Sequence, residues 1–383
     1  MRFEPFLLDQ WIERKFSGEW RISHDFTASS GPPWKLRELL ELDGGDATKR
    51  FLDVPVTYPS AAGSLELRTA VAELEGVSAA DVQILTGAQE ALLAIFFCAA
   101  APGANVVVPQ PGFPAFSALP QGLGLEVRHY RPRAENGFQI DASEVKALVD
   151  GRTALVLVNS PHNPTGVVMT EAYRRDLHDF CADRNVQFVC DQVFHPHYYG
   201  ATVTTAAALP HATVVGDLSK ALCLPGLRIG WIVERNHERL ERYRETRMYC
   251  TISNGPITES LAELAIRHRD AIYARAHTVS RANLQMIQEG WPPEDETVQW
   301  IRPGGGFTVF PWFPNIVDTR PLCERLGARG ILVVPGDCFG MPAHIRVGFG
   351  TQRERFAEAF DALRTEIALY LREERRRATV AVH

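Results

Sequence analysis

From Asp81 onward, short apolar runs alternate with longer stretches of helical spacing. DVQIL, NVVVP, LEVRHY, TALVLVNSP, VQFVCDQV and ATVVGDLS carry their apolar residues over strand length. AQEALLAIFFCAA and TEAYRRDLHDFCADRN, lying between strands, have the charge and apolar spacing of helices. Repeated alternation of this kind predicts an α/β fold with a mainly parallel sheet covered by helices on both faces. Polar, acidic or glycine residues fall just after the strands, at Gly87, Asn159, Asp191 and Ser219. Strand ends of open α/β sheets are where ligands bind, so these residues mark the candidate site.

The pattern changes beyond Asn254. A long helical stretch over 257–291 precedes short strands in GGGFTVFPWF, GILVVPG and HIRVGF, and a terminal helix starts near Gln352. We therefore expect a large domain over 45–275 and a smaller α+β domain over 276–383, to which an N-terminal arm, 1–44, docks. The RRR triplet after Glu374 reads as a solvated end.

Composition narrows the partners. With 383 residues, 45% hydrophobic and 22% charged, the chain has the balance of a globular protein with a sizeable core. A net charge of −6 provides no basic field for nucleic acid, so small molecules come first. No run of about 18 apolar residues exists to span a membrane, and the N-terminus has no uninterrupted apolar core of a signal peptide; a cytoplasmic location is expected. Seven scattered cysteines without a CxxC fit reduced thiols better than disulfides or a zinc site.

Chemistry enters with GDLSKALCLPGLRIGW, in which Lys220 follows an apolar strand and Arg228 follows Lys220. A partly desolvated lysine beside other cations loses some of its charged form, and the neutral amine can form a Schiff base with an aldehyde. Arg228 offers a planar fork for a phosphate. LTGAQEAL places a turn and a helix start at Gly87, where free N–H groups favour an anion. NSPHNPTG leaves the Asn163 amide at a strand end between two prolines; His162 in the same turn is given no role. FVCDQVF ends a strand at Asp191, a carboxylate that needs a cation, such as a protonated ring nitrogen.

NSPHNPTG, SKALCLPGLRIGW and IRVGF, in this order, resemble the class I/II aminotransferase family of fold type I pyridoxal-phosphate (PLP) enzymes, from about Tyr58 to the C-terminal region. The resemblance implies a PLP-dependent transferase that exchanges an amino group between an amino acid and a 2-keto acid. It makes Lys220 the Schiff-base lysine and proton carrier, Asp191 the partner of the pyridinium nitrogen, and Asn163 the donor to the ring hydroxyl oxygen. Phe113, by itself an ordinary core residue, would stack on the ring. Gly87, Ala88, Gln89, Ser219 and Arg228 would cradle the phosphate. Tyr58 would reach the phosphate of the neighbouring subunit, which implies a homodimer. Arg346 would fork the substrate carboxylate, and Gly31 would lie near the substrate.

Two positions depart from the family pattern. Phe194 stands where a tyrosine usually donates to the ring oxygen, so the Schiff base is expected to keep its proton to higher pH. Asp217 stands where relatives carry a phosphate-touching Ser or Thr; it either turns away or faces another cation, such as a substrate guanidinium or ammonium. These departures, with LDQWIERKF and LCERLGARGILVVPGDCFG, resemble a smaller branch, capreomycidine synthase and related enzymes that handle arginine derivatives by elimination and ring closure. A PLP-binding regulatory module would need a DNA-binding domain, for which the 57 residues before Tyr58 are few. The lysine, the aspartate and the phosphate ligands argue against a cofactor-free relative.

Overall fold

The structure is a computed structural model that describes residues 3–351 and 354–381; Gln352 and Arg353, at the predicted start of the terminal helix, lie outside the described residues. Seven strands form the large sheet: β1 (Val82–Leu85), β2 (Asn105–Pro109), β3 (Glu126–Tyr130), β4 (Thr153–Asn159), β5 (Gln187–Asp191), β6 (Ala212–Asp217) and β7 (Gly230–Val233). Their order is β1-β7-β6-β5-β4-β2-β3, and every neighbouring pair is parallel except the two made by β7. β4 and β6 are buried along almost their whole length, as apolar strands covered on both faces must be.

Capping sets the helix starts. Thr170 accepts the Tyr173 N–H at 3.3 Å to open helix Glu171–Ala182, which turns Leu177 and Cys181 to the core. The chain passes from β2 out to β3, then returns across β2 to β4, β5 and β6. That reversal opens a crevice beyond the carboxyl ends of β2 and β4, beside the ends of β5 and β6.

A second apolar core gathers Leu8, Trp11 and Phe26 from the N-terminal region with residues between Leu284 and Ile367. Its three-stranded antiparallel sheet is formed by Val334–Pro335, Ile345–Gly348 and Thr308–Val309. His24–Asp25 pairs in parallel with Ile331–Leu332, tying the N-terminal segment to this core. Helix Arg269–Gly290 crosses between the two cores: Ile272 and Ala276 pack in the large one, Leu284 and Ile287 in the other. The predicted long helical stretch is thus two helices, Pro256–Arg267 and Arg269–Gly290, with His268 between them. Among the described residues no helix is long and apolar enough to cross a membrane.

Candidate active site

The crevice is a cleft of about 650 Å³ that both cores line. It brings together Ala88, Gln89, Phe113, Asn163, Asp191, Phe194, Ser219, Lys220, Arg228 and Arg346. Lys220 lies just beyond β6, half-buried, with its Nζ 3.3 Å from Ser29 Oγ. Burial lowers its pKa; Arg346 and Arg228 push the same way, while Asp217 and Asp191 oppose. The result is an amine biased towards its neutral, nucleophilic form.

Asp191 ends β5 and is 4% exposed. Its Oδ1 accepts from Asn159 Nδ2 at 3.2 Å and from the Val193 N–H at 3.3 Å. Burial pushes this carboxyl up to about 7, and the charge on Asp217 adds to the rise against those two donors and Lys220. A buried acid that ionises only near neutrality lacks a close cation, and a pyridinium N–H in the cleft would supply one. Stability follows with a definite sign. The folded carboxyl keeps its proton above its ordinary 3.8, so the folded state binds more protons between that value and about 7, and stability falls as pH rises through this window. In cofactor-free protein, urea unfolding should lose up to a few kcal/mol from this group between about pH 4 and about pH 7, and Asp191→Asn should flatten the profile. Equal pH slopes in the two proteins would contradict the assignment.

The phosphate end fits as well. Helix Gly87–Ala99 starts without a side-chain cap, so its first N–H groups face the cleft. Gly87 has φ +77°, and a Cβ there would lie 2.8 Å from Arg228 Nη2. The glycine therefore leaves room for the guanidinium beside the helix start, an arrangement that holds a phosphate. Gly230 of β7 is equally constrained, since a Cβ on it would meet the Gly87 carbonyl carbon at 2.5 Å. Ser219 is buried beside them, its N–H donated to Asp217 Oδ1 at 3.0 Å.

Arg346 enters from the other core and is 2% exposed. Nη1 donates to Asn163 Oδ1 at 3.2 Å and Nη2 to the Thr27 carbonyl at 2.6 Å, while Nε has no partner. Among the described residues no carboxylate pairs with it, and burial lowers its pKa to about 10. It is an uncompensated buried cation facing the cleft, suited to a ligand carboxylate. Phe113 stands edge-on to Phe6 and Phe116, with both ring centroids 5.7 Å away.

Besides Gly87, which leaves room at the helix start, two predicted residues do not line the cleft. Gly31 does not line the cleft, which residues 27–30 line instead; a Cβ on Gly31 would lie 2.4 Å from Cys223 Sγ, so that glycine serves close packing. Tyr58 is 83% exposed and stands outside the cleft of its own chain. Phe194 lines the cleft without any hydroxyl to offer, and the nearby Tyr198 hydroxyl is engaged with His195 Nδ1 at 2.7 Å. Asp217 does not turn away: it is buried in the cleft floor, where Lys220 is its main cationic influence. His162 bonds Thr165 and the Pro111 carbonyl, holding its own turn. The sequence reading missed the N-terminal wall, namely Phe6, Asp9, Ile12 and Lys15. Their regular three-residue spacing was the available signal.

The sequence model of "Aminotransferase class I and II" matches residues 56–363. The chain belongs to this family. Family membership brings pyridoxal 5'-phosphate as the cofactor, and the buried Asp191, the open Gly87 turn and Arg228 fit it. Capreomycidine synthase from Streptomyces vinaceus is 33% identical over 96% of this chain and 95% of its own length. Arginine–pyruvate transaminase AruH from Pseudomonas aeruginosa is 28% identical over 79% of this chain and 80% of its own. Among solved structures, a PLP-dependent aminotransferase from Streptococcus suis superposes with a TM-score of 0.89 at 25% identity, covering 96% of this chain and 98% of that one. A PLP-dependent cyclase, OrfR, superposes with a TM-score of 0.85 at 28% identity, with 98% of each chain covered.

Proposed function

We propose that this protein removes the Cα proton of an arginine-type amino acid and goes on to elimination and ring closure in preference to amino transfer. The observation that carries the reading is the near full-length similarity to capreomycidine synthase, which covers 96% of this chain where the family match covers residues 56–363. The cyclase superposition, also nearly full length, supports it. Amino transfer is the second reading, favoured by the likeness to the arginine–pyruvate transaminase.

When bound, pyridoxal phosphate supplies an aldehyde for Schiff-base exchange and a ring that accepts electrons from the Cα carbanion. Lys220 combines nucleophile and general base in one amine, whose charged form is disfavoured by burial and further by Arg346 and Arg228. Ser29 Oγ holds that amine in the cleft at 3.3 Å. Asp191 would keep a ring nitrogen protonated, and Asn163, whose Oδ1 accepts from Arg346 Nη1, would link the ring's surroundings to the arginine that would bind the substrate carboxylate. Gly87, Ala88, Gln89, Ser219 and Arg228 would hold the phosphate.

We further assign the working unit as a homodimer. Val56, Tyr58, Tyr249 and Ile252 are all more than half exposed, on two segments that Arg247 joins by donating to the Ala61 carbonyl at 2.5 Å. An apolar patch of this kind beside the phosphate turn suits a second copy, whose Tyr58 would complete the cradle.

Incubating holoenzyme with L-arginine and with β-hydroxylated L-arginine in deuterated water, with and without pyruvate, tests the reading by product mass. Cα deuterium exchange is expected with both amino acids, and loss of the β-hydroxyl as water with a cyclic product only with the hydroxylated one. A keto acid formed only with pyruvate, together with alanine, would replace ring closure with amino transfer.

A further inference from the structure

One face of the short N-terminal helix Leu7–Glu13 and its flanks closes the cleft: Phe6, Asp9, Ile12 and Lys15 recur every three residues, and all line it. The adjoining face fixes the helix in place. Leu8 and Trp11 are buried in the second core, and Trp11 Nε1 donates to the Val333 carbonyl at 2.6 Å. The wall is therefore held rigidly against the residues that carry Arg346.

The two charged side chains on this wall have different fates. Lys15 is occupied, with its Nζ 3.0 Å from Asp25 Oδ2. Asp9 is exposed to solvent where it lines the cleft, and it has no hydrogen bond or ion pair among the described residues. Partial burial raises its pKa, repulsion from Glu13 one turn on adds to this, and the fields of Lys220 and Arg346 reach it across the cleft. A carboxylate that faces the cleft without a partner is open to a cation brought by a ligand. On the same wall stands the ring of Phe6, 5.7 Å from that of Phe113, and planar guanidinium groups stack on such rings while their edges donate to a carboxylate.

A second, independent feature points to the same ligand. Arg346 is 2% exposed and its Nε has no acceptor, so the cleft presents a buried cation for the carboxylate end of an amino acid. Asp217, the sequence-based candidate for a guanidinium, is less suited. It sits on the floor beside Lys220 and already accepts the Ser219 N–H at 3.0 Å.

We infer that Asp9, with the ring of Phe6 on the same wall, is a subsite for a guanidinium side chain and selects cationic over neutral amino acids. This inference rests on the Cα chemistry proposed above and adds the residue that chooses the substrate. L-citrulline is the discriminating probe, because it matches L-arginine in shape and replaces the charged guanidinium with a neutral urea. Wild-type holoenzyme should bind L-arginine more tightly than L-citrulline by calorimetry. Asp9→Asn should raise the KM for L-arginine in the Cα deuterium-exchange assay about tenfold to a hundredfold, the worth of one hydrogen bond to a charged group, with kcat little changed. Asp9→Glu should recover part of the loss, and L-citrulline should respond to neither change. An equal loss for both ligands, or no loss for either, overturns the subsite while exchange at Cα still stands. Absence of exchange with every amino acid in the wild type would instead refute the Cα chemistry, and calorimetry would then decide the subsite alone.

Discussion

Lys220→Ala is expected to abolish the visible absorbance of the cofactor adduct and to lower turnover by at least about four orders of magnitude, since covalent attachment and proton transfer are lost together. The size of the effect follows from position. Lys220 is the lysine on the cleft floor, just beyond β6, in a cleft that Asp217 and Asp191 also line. Lys15, the other lysine lining the cleft, is paired with Asp25 and unavailable as a base. The substitution leaves space where the side chain ended, and a small primary amine such as methylamine can enter it. Partial rescue by methylamine, rising with pH as more free amine is present, would separate lost chemistry from lost folding. Full turnover in the variant, or unchanged absorbance, would remove the foundation of the proposed function.

The floor of this site was largely legible in the sequence, and its roof was not. Asp191, Ser219 and Lys220 follow strands whose apolar runs can be read directly, and a parallel sheet brings strand ends together without further information. Strand β7 escaped because GWIV follows the turn at Arg228 and pairs antiparallel with both neighbours, outside the alternation of strand and helix. Asp9 escaped for a different reason. Its helix has only seven residues, and nothing local shows which face meets a sheet that begins more than seventy residues later. That choice is made by Trp11 and Leu8, which bury themselves among residues of the C-terminal third. Gly31 was misplaced by the same limit, because its glycine answers to Cys223 and Phe307 in three dimensions.

Arg346→Gln is expected to move activity and stability in opposite directions. Glutamine keeps two N–H donors, enough for the Asn163 Oδ1 and the Thr27 carbonyl that Arg346 now serves. It removes the charge. In the ligand-free protein that charge is buried without a carboxylate partner, and replacing an unpaired buried ion with a neutral group relieves a desolvation penalty. Thermal unfolding of ligand-free protein should therefore shift to higher temperature. With substrate the balance reverses, because an amino acid carboxylate must leave water for a site that no longer neutralises it. Losing a charge-assisted, forked contact of about 3–4 kcal/mol predicts a fall in kcat/KM of roughly a hundredfold to a thousandfold, most of it in KM. Agmatine, which is arginine without its carboxylate, gives the control: wild type should bind L-arginine far better than agmatine, and the variant should hardly distinguish them. If Arg346→Gln destabilised the ligand-free protein and weakened both ligands alike, Arg346 would be a strut between the two cores, and the carboxylate would have to bind elsewhere.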